Sequence, residues 1–300
     1  MLSRLYYSAL RVTGITALAR RVRRGGAILC YHNVVASSHR AGDLAAHMPV
    51  AEFARQLAWL LRHHDVIPLM DFVGRVRDGR PIKRLLALTF DDAYSGVLKH
   101  AWPLLRQRGV PATVFIPTDF IGGGEGFWWD HPAIVRTATP AQREKWIGEL
   151  RGDGPAILRD AGAHSPPGLA PEQLPAMWDA IRLAAAEGLS LGVHSATHRN
   201  ITRLSAGELR RETVDSRDVI AAHTGIQAET FAFPYGIWDA RTREAVDTAG
   251  FRAAVTLDYG LNGPGADALA LRRINIPASI PVPAFEAWVA GLRPLSSPAA

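Results

Sequence analysis

Short apolar runs rich in β-branched and aromatic residues alternate along this chain with longer stretches in which apolar positions recur every three or four residues. The runs AILCY (27–31), LLALTF (85–90), ATVFI (112–116), LSLGV (189–193), TFAF (230–233), AAVTL (253–257) and LRRINI (271–276) read as strands, several of them apolar enough to be buried on both faces. AEFARQLAWLLRHH (51–64), PEQLPAMWDAIRLAAAEG (171–188) and SAGELRRETVDSRDVIAAHTG (205–225) read as helices. The last opens on Ser205 with Glu208 three residues on, the pattern of a capping box, and closes on Gly225. Asp239 is placed to cap a further helix that ends before Gly250. Strands alternating with helices predict an α/β fold with a parallel sheet, and about seven such strands are enough to close a barrel. One interval breaks the rhythm: from Gly122 to about Gly188 the chain is longer than one crossover needs, and it begins GGGEGFWWDH. This interval reads as a partly helical insertion on the barrel, with Trp128 and Trp129 placed either to border a sugar or simply to bury area.

Composition narrows the class. The 300 residues are 48% hydrophobic and 21% charged, which fits one large soluble domain, and no low-complexity stretch divides them. Cys30 is the single cysteine, so no internal disulfide and no cysteine-based zinc site is available. The net charge of +6 argues against nucleic acid once its location is known. Arg4, Arg11, Arg20, Arg21, Arg23 and Arg24 all fall in the first 24 residues, which hold no Asp or Glu, so the remainder of the chain is neutral. On a helical wheel Leu2, Leu5, Tyr6, Ala9 and Val12 share one side and Arg4 and Arg11 the other. Residues 1–24 therefore read as a helix lying on an anionic membrane surface, or as a solvated helix docked on its own domain. Arg11 and Gly14 interrupt the apolar run that a signal peptide needs, and no apolar stretch is long enough to span a bilayer, so the expected place is cytoplasmic, peripheral to the inner face of the membrane if the first reading holds.

The candidate chemistry lies where the strands end. Tyr31-His32 follows the first strand, Asp91-Asp92 the second, His194 follows LSLGV, and Pro234-Tyr235 follows TFAF. In a parallel α/β barrel such groups converge on one face. Two adjacent carboxylates raise one another's pKa and are costly to bury unless a cation accompanies them. HSATH supplies His194 and His198 four residues apart, so the rings share a side in a helix or a tight turn. Joined to one aspartate they make the open three-ligand set of a catalytic zinc, while the other aspartate is free to take a proton from water.

TFDDAYSG, HSATH and FPYG resemble three signature motifs of the polysaccharide deacetylases, carbohydrate esterase family 4, over roughly residues 26–280. LCYHNVV and HMPVAEFARQLAWL are most similar to the exopolysaccharide and poly-N-acetylglucosamine deacetylase branch. The resemblance implies a distorted seven-stranded (β/α) barrel at 26–280, preceded by a basic helical segment at 1–25 and followed by a tail at 281–300. It implies Asp91 as catalytic base, Asp92, His194 and His198 as ligands of Zn2+ or another divalent ion such as Co2+ or Ni2+, and the backbone after Pro234 as an oxyanion donor. The activity it implies is removal of acetyl groups from N-acetylated sugars of a polysaccharide or its precursor. A non-catalytic carbohydrate-binding protein on the same barrel, and a hydrolase of small amides or O-acetyl esters, remain as alternatives.

The departures carry their own expectations. The family's third motif places an Arg where this chain has Ala232, its late Leu-x-His motif has no counterpart because no histidine follows His223, and its Trp-containing fourth motif is not recognisable. Either the chemistry is crippled or other positions on the ring supply it. His32 after the first strand is the expected general acid, and Arg273, or Arg272 beside it, the expected orienter of the base. Tyr235, Pro234, Trp128 and Trp129 are expected to touch substrate. His39, His47, His63, His64, His100, His131, His164 and His223 read as surface residues, and Cys30 as packing.

Overall fold

The computed structural model describes residues 2–37, 45–163 and 168–295. Ten strands are found among them: β1 (Ala27–Tyr31), β2 (Asn33–Val35), β3 (His47–Pro49), β4 (Asp65–Val66), β5 (Leu85–Phe90), β6 (Thr113–Ile116), β7 (Ser190–Val193), β8 (Thr230–Ala232), β9 (Ala253–Val255) and β10 (Ile274–Asn275). Seven run side by side in the order β10-β1-β5-β6-β7-β8-β9, β4 adds to β5, and every pairing is parallel. A single bridge from Val255 to Leu271 links β9 to the segment entering β10, which curls the sheet into the expected barrel. β1 and β5 are buried at every position, as their unbroken apolar runs require when helices cover the outside. β2 and β3 form a separate parallel pair.

The helix signals hold at the capped ends. Ser205 and Glu208 form the capping box, with the Ser205 N–H donating to Glu208 Oε2 at 2.8 Å, and Gly225 adopts φ 73°. Between those ends Arg211–Asp215 is a π-helical turn rather than α-helix. The expected helix at 171–188 is α-helical only from Trp178 to Ala186, with a separate 3₁₀ turn at Pro171–Gln173. Pro175 breaks it, and the chain on either side of Pro175 runs against the loop after β5: the Ser95 N–H donates to Leu174 O at 2.8 Å and the Ala176 N–H to Ala93 O at 2.9 Å.

The basic N-terminus forms two helices, α1 (Leu2–Val12) and α2 (Ile15–Val22), parted at Gly14, whose φ of 78° suits a residue without Cβ. α1 packs on the C-terminal helix Val282–Val289, with the Trp288 Nε1–H donating to Tyr7 Oη at 3.0 Å and Arg11 paired with Glu286 at 3.0 Å. α2 sits beside the end of α3 (Val50–His63), where the Arg23 guanidinium donates to His64 Nδ1 at 3.0 Å. His64, His47 and His131, expected at the surface, are buried, because each has a polar partner in a packed interior. His39 and His164 lie outside the described residues.

Candidate active site

β5 delivers the two aspartates. The Asp91 N–H still donates to Tyr31 O at 2.9 Å, continuing the ladder with β1, and then Asp92 and Ala93 turn through φ 70° and 49°. Positive φ at two non-glycine residues is held by the extended segment around Pro175, which hydrogen-bonds both sides of the turn. The turn sends the neighbouring carboxylates to different partners. Asp91 receives both terminal nitrogens of Arg273, at 2.7 and 2.6 Å, and Cys30 Sγ at 3.3 Å. Asp92 instead faces the histidines.

Side-chain alternation decides which arginine reaches the site. Arg273 is fully buried and also donates through Nε to Thr256 O at 2.9 Å, whereas Arg272 points outward and is exposed. The guanidinium on Asp91 thus comes from the entry to β10, the ring neighbour of β1. Cys30, read from sequence as packing, also touches the Asp91 carboxylate. Burial pushes its thiol pKa up, so it stays a donor.

The two histidines follow β7 in a tight turn, with Ser195 at φ 65° and His198 at φ 53°. Glu212 holds that turn: its buried carboxylate accepts from the Ala196 N–H at 2.8 Å, the Thr197 N–H at 2.9 Å and the Thr197 hydroxyl at 2.6 Å. Sequence reasoning missed Glu212. The available signal was a carboxylate on the inner side of a helix next to the motif, and the π-helical turn that aims it inward has no clear mark in the residues. His194 donates its Nδ1–H to Ala232 O at 2.9 Å, which fixes the tautomer and leaves the Nε2 lone pair facing the site.

Three ligand atoms converge there. Asp92 Oδ1 lies 3.6 Å from His194 Nε2 and 3.3 Å from His198 Nε2, and the two nitrogens are 3.2 Å apart. Zinc bonds of about 2.0–2.1 Å in a tetrahedron put ligand atoms about 3.3 Å from one another, so the triangle fits a divalent ion. Asp92 Oδ1 is buried and has no hydrogen-bond partner among the described residues, another mark of a site shaped for a cation. Burial, then Asp91, then Asp130 push the Asp92 carboxyl well above its usual range. Burial also lowers both imidazoles, so both rings are held neutral. For Asp91 burial acts upward as well, but the Arg273 guanidinium outweighs it and holds the carboxyl below the usual range. The pair divides as its environment dictates: Asp91 is ionised by arginine, and Asp92 is pushed toward its neutral form by burial and the charge beside it.

His32 comes to the same place from the end of β1. A ring nitrogen of His32, Cys30 Sγ and an Asp91 oxygen all lie within 4.8 Å of one another. After Pro234, Tyr235 takes φ 58°, and the Gly236 and Ile237 N–H groups are used inside the turn, so Tyr235 is the residue there with a backbone donor to offer.

The tryptophans are placed differently from the sugar-bordering expectation. Trp128 and Trp129 are 4% and 8% exposed, and their N–H groups donate to Tyr235 Oη at 3.0 Å and Tyr94 Oη at 2.9 Å. Trp129 and Tyr235 wall in His198, at ring separations of 4.7 and 4.6 Å. Behind them Asp130 is fully buried, accepting from Tyr94 Oη at 2.6 Å and bonded to His47 Nε2 at 2.8 Å. That network joins residues far apart in sequence and was not foreseen.

A family model described as polysaccharide deacetylase matches residues 78–254. YxkH of Bacillus subtilis is 22% identical over 271 residues, 89% of this chain and 76% of that protein. The poly-beta-1,6-N-acetyl-D-glucosamine N-deacetylase of Staphylococcus epidermidis is 33% identical over 72 residues, 24% of this chain and 25% of that protein. Among solved structures, IcaB from Ammonifex degensii aligns with TM-score 0.63 at 22% identity over 90% of this chain and 98% of its own. Streptococcus pyogenes deacetylase PplD, solved with acetate, aligns with TM-score 0.62 at 17% identity over 90% and 99%. At these identities the structural likeness speaks to fold.

Proposed function

This chain belongs to the polysaccharide deacetylase family, and from that premise we propose that it hydrolyses the acetamide of an N-acetylated amino-sugar polymer with the residues described above. The observation that carries the reading is the triangle of Asp92 Oδ1, His194 Nε2 and His198 Nε2 beside an Asp91 clamped by Arg273. Asp92, His194 and His198 would hold a divalent ion, Zn2+ being the choice their donor set favours over Co2+ or Ni2+, and such an ion polarises a carbonyl and acidifies water. Asp91, kept ionised and fixed by two bonds from Arg273, accepts the proton of the attacking water as its oxygen adds to the acetyl carbon. The Tyr235 N–H faces the oxyanion that results. His32 gives a proton to the sugar nitrogen as the C–N bond breaks, so the products are acetate and a free amino sugar. Tyr235 with Pro234 lines the acetyl pocket, and Trp128 and Trp129 support it from behind. In the same reading the basic N-terminal helices bring the barrel to the anionic cytoplasmic face of a membrane. Among the described residues no helix is long and apolar enough to cross one.

The test is metal analysis of the purified chain together with acetate release from N-acetylglucosamine oligomers. Asp91→Asn should keep the ion and lose about 100-fold or more in turnover, the scale of lost acid–base catalysis. Asp92→Asn should lose the ion. Wild-type protein that refuses zinc, cobalt and nickel alike would overturn the reading.

A further inference from the structure

Alternation along β1 turns Ile28, Cys30 and His32 to one face, and that face is the inside of the barrel, where Ile28 shares a cluster with Ala87, Phe115, Ala232, Val255 and Leu271. Cys30 therefore lies one step deeper than His32, under the mouth that holds Asp91. Its Sγ is 3.3 Å from Asp91 Oδ2, and a His32 ring nitrogen completes a triangle whose sides are all within 4.8 Å. One cysteine is too few for a structural zinc site, but a thiolate, an imidazole and a carboxylate make an open three-donor set of the kind that holds zinc or cobalt. Zinc bonds of about 2.3 Å to sulfur and about 2.0–2.1 Å to nitrogen and oxygen, spread tetrahedrally, put such donors about 3.3–3.6 Å apart. The sulfur-to-oxygen side already has that length. His32, half-buried at the mouth, closes the other two with a shift of about 1 Å or less.

Asp91 has a lone pair for this bond. Each carboxylate oxygen accepts at two positions, and Arg273 takes one on Oδ1 and one on Oδ2. The position left on Oδ2 is the one the thiol faces. Burial pushes the Cys30 thiol pKa up and Arg273 opposes that only in part, so the sulfur keeps its proton until a cation takes the proton's place. The group is separate from the triangle of Asp92, His194 and His198 but close to it, with Asp91 Oδ2 3.8 Å from His194 Nε2. An ion in that triangle and the Arg273 guanidinium both oppose a further dication here, so this group fills second, when metal is in excess.

Resting on the reading of Asp91 and His32 as the groups that accept and give protons, we propose that Cys30, His32 and Asp91 form a second, inhibitory zinc site. Filling it bonds the ion to the Cys30 sulfur, an Asp91 oxygen and a His32 ring nitrogen, and releases the thiol proton to solvent. A chain in that state has neither its base nor its acid, so excess zinc stops the proposed hydrolysis.

Cobalt titration of the full chain tests this. Thiolate bound to cobalt absorbs in the near ultraviolet, where imidazole and carboxylate complexes do not, and Cys30 is the single cysteine, so the band reports this group alone. The first equivalent should bring weak visible bands, and further cobalt the near-ultraviolet band; this measurement needs no variant to fold. Cys30→Ser should bind one equivalent and lack the band. Asp92→Asn, with the first ion lost, should show the band at a lower cobalt concentration than wild type. In acetate release, with each protein compared with itself at one zinc per chain, excess zinc should lower wild-type turnover about 100-fold or more, the scale of lost acid–base catalysis. For the same loss Cys30→Ser should need at least about tenfold more zinc, the least that follows when even a group behind a metal ligand is altered. A chain that takes up no cobalt beyond one equivalent, or takes up a second with no near-ultraviolet band, overturns the site. Equal zinc inhibition of wild type and Cys30→Ser overturns the inhibitory role. Absence of acetate release at every zinc level, with the band intact, overturns the proposed function and leaves the site standing.

Discussion

Replacing Arg273 with Met should cost more stability than any surface change, and the cost should depend on Asp91. The two side chains are 0% and 2% exposed and share bonds of 2.7 and 2.6 Å. Taking one partner from a buried pair leaves an uncompensated charge, a loss of about 3–5 kcal/mol. The Thr256 carbonyl also loses its donor, adding about 1 kcal/mol. At this chain length roughly 2 °C of melting temperature accompanies each kcal/mol, so the variant should melt roughly 8–12 °C lower. Asp91→Asn should cost a similar amount by stranding the guanidinium. The double variant tells pair from bystander: with both charges gone it should recover about 2 kcal/mol or more of the summed losses, the coupling expected of groups in direct contact. Urea denaturation of the four proteins in one metal state measures the cycle. Additive losses within about 0.5 kcal/mol would refute the argument that Arg273 acts through Asp91.

Glu212→Gln keeps the shape of the carboxylate but presents an N–H₂ group to a nest of four donors, Arg199 among them, so zinc affinity should fall about 10–100-fold, as it does when groups behind metal ligands are altered; isothermal titration giving an unchanged Kd refutes the positioning role. His32→Ala should abolish amide cleavage while sparing more of the hydrolysis of an activated acetate ester, because an amine leaves only after it gains a proton; equal losses on both substrates would remove His32 from that role. His64 supplies a pH test away from the site: burial, then Arg23, press its pKa down to about 3, against about 6.5 when unfolded. A group depressed in this way contributes stability that is present above pH 6.5 and drains as pH falls toward 3. Between pH 7 and 5 the wild type should therefore lose about 2 kcal/mol more than His64→Leu does; parallel stability curves from urea melts would show that His64 takes up its proton in the folded state.

The main strands were legible because a strand buried on both faces must be apolar without interruption, and β1 and β5 are the plainest cases. The helix at 205–225 was legible at its ends because capping is local, residue to residue. What was not legible is what distance in sequence hides. Asp130, His47 and Tyr94 come together only because residues 127–131 fold back across the barrel mouth, and no spacing announces that. The tryptophans left two readings open, a sugar border or buried area, because a pair of rings reads the same whether it lies in or out. Pro175 is a signal of the break that the helical reading of 171–188 passed over, and what the residues beside it do, edging the turn that carries Asp92, belongs to the fold. Arg273 was reachable by reasoning because a ring has no first strand, so a charge missing after β8 can be sought before β10.

That closure has a consequence for the order of the parts. α1 lies along Val282–Val289, and the Leu295 N–H donates to Tyr7 Oη at 3.0 Å, so the segments leading into β1 and out of β10 are already neighbours. A circular permutant that joins those segments through a short linker and opens the chain between 163 and 168 should keep the barrel and every contact of the site. In such a molecule His32 would follow the last strand of the old order. On the role proposed for His32 the reaction would not register the change, because that role needs a proton donor at one angular position around the mouth, and the chain is free to visit that position early or late.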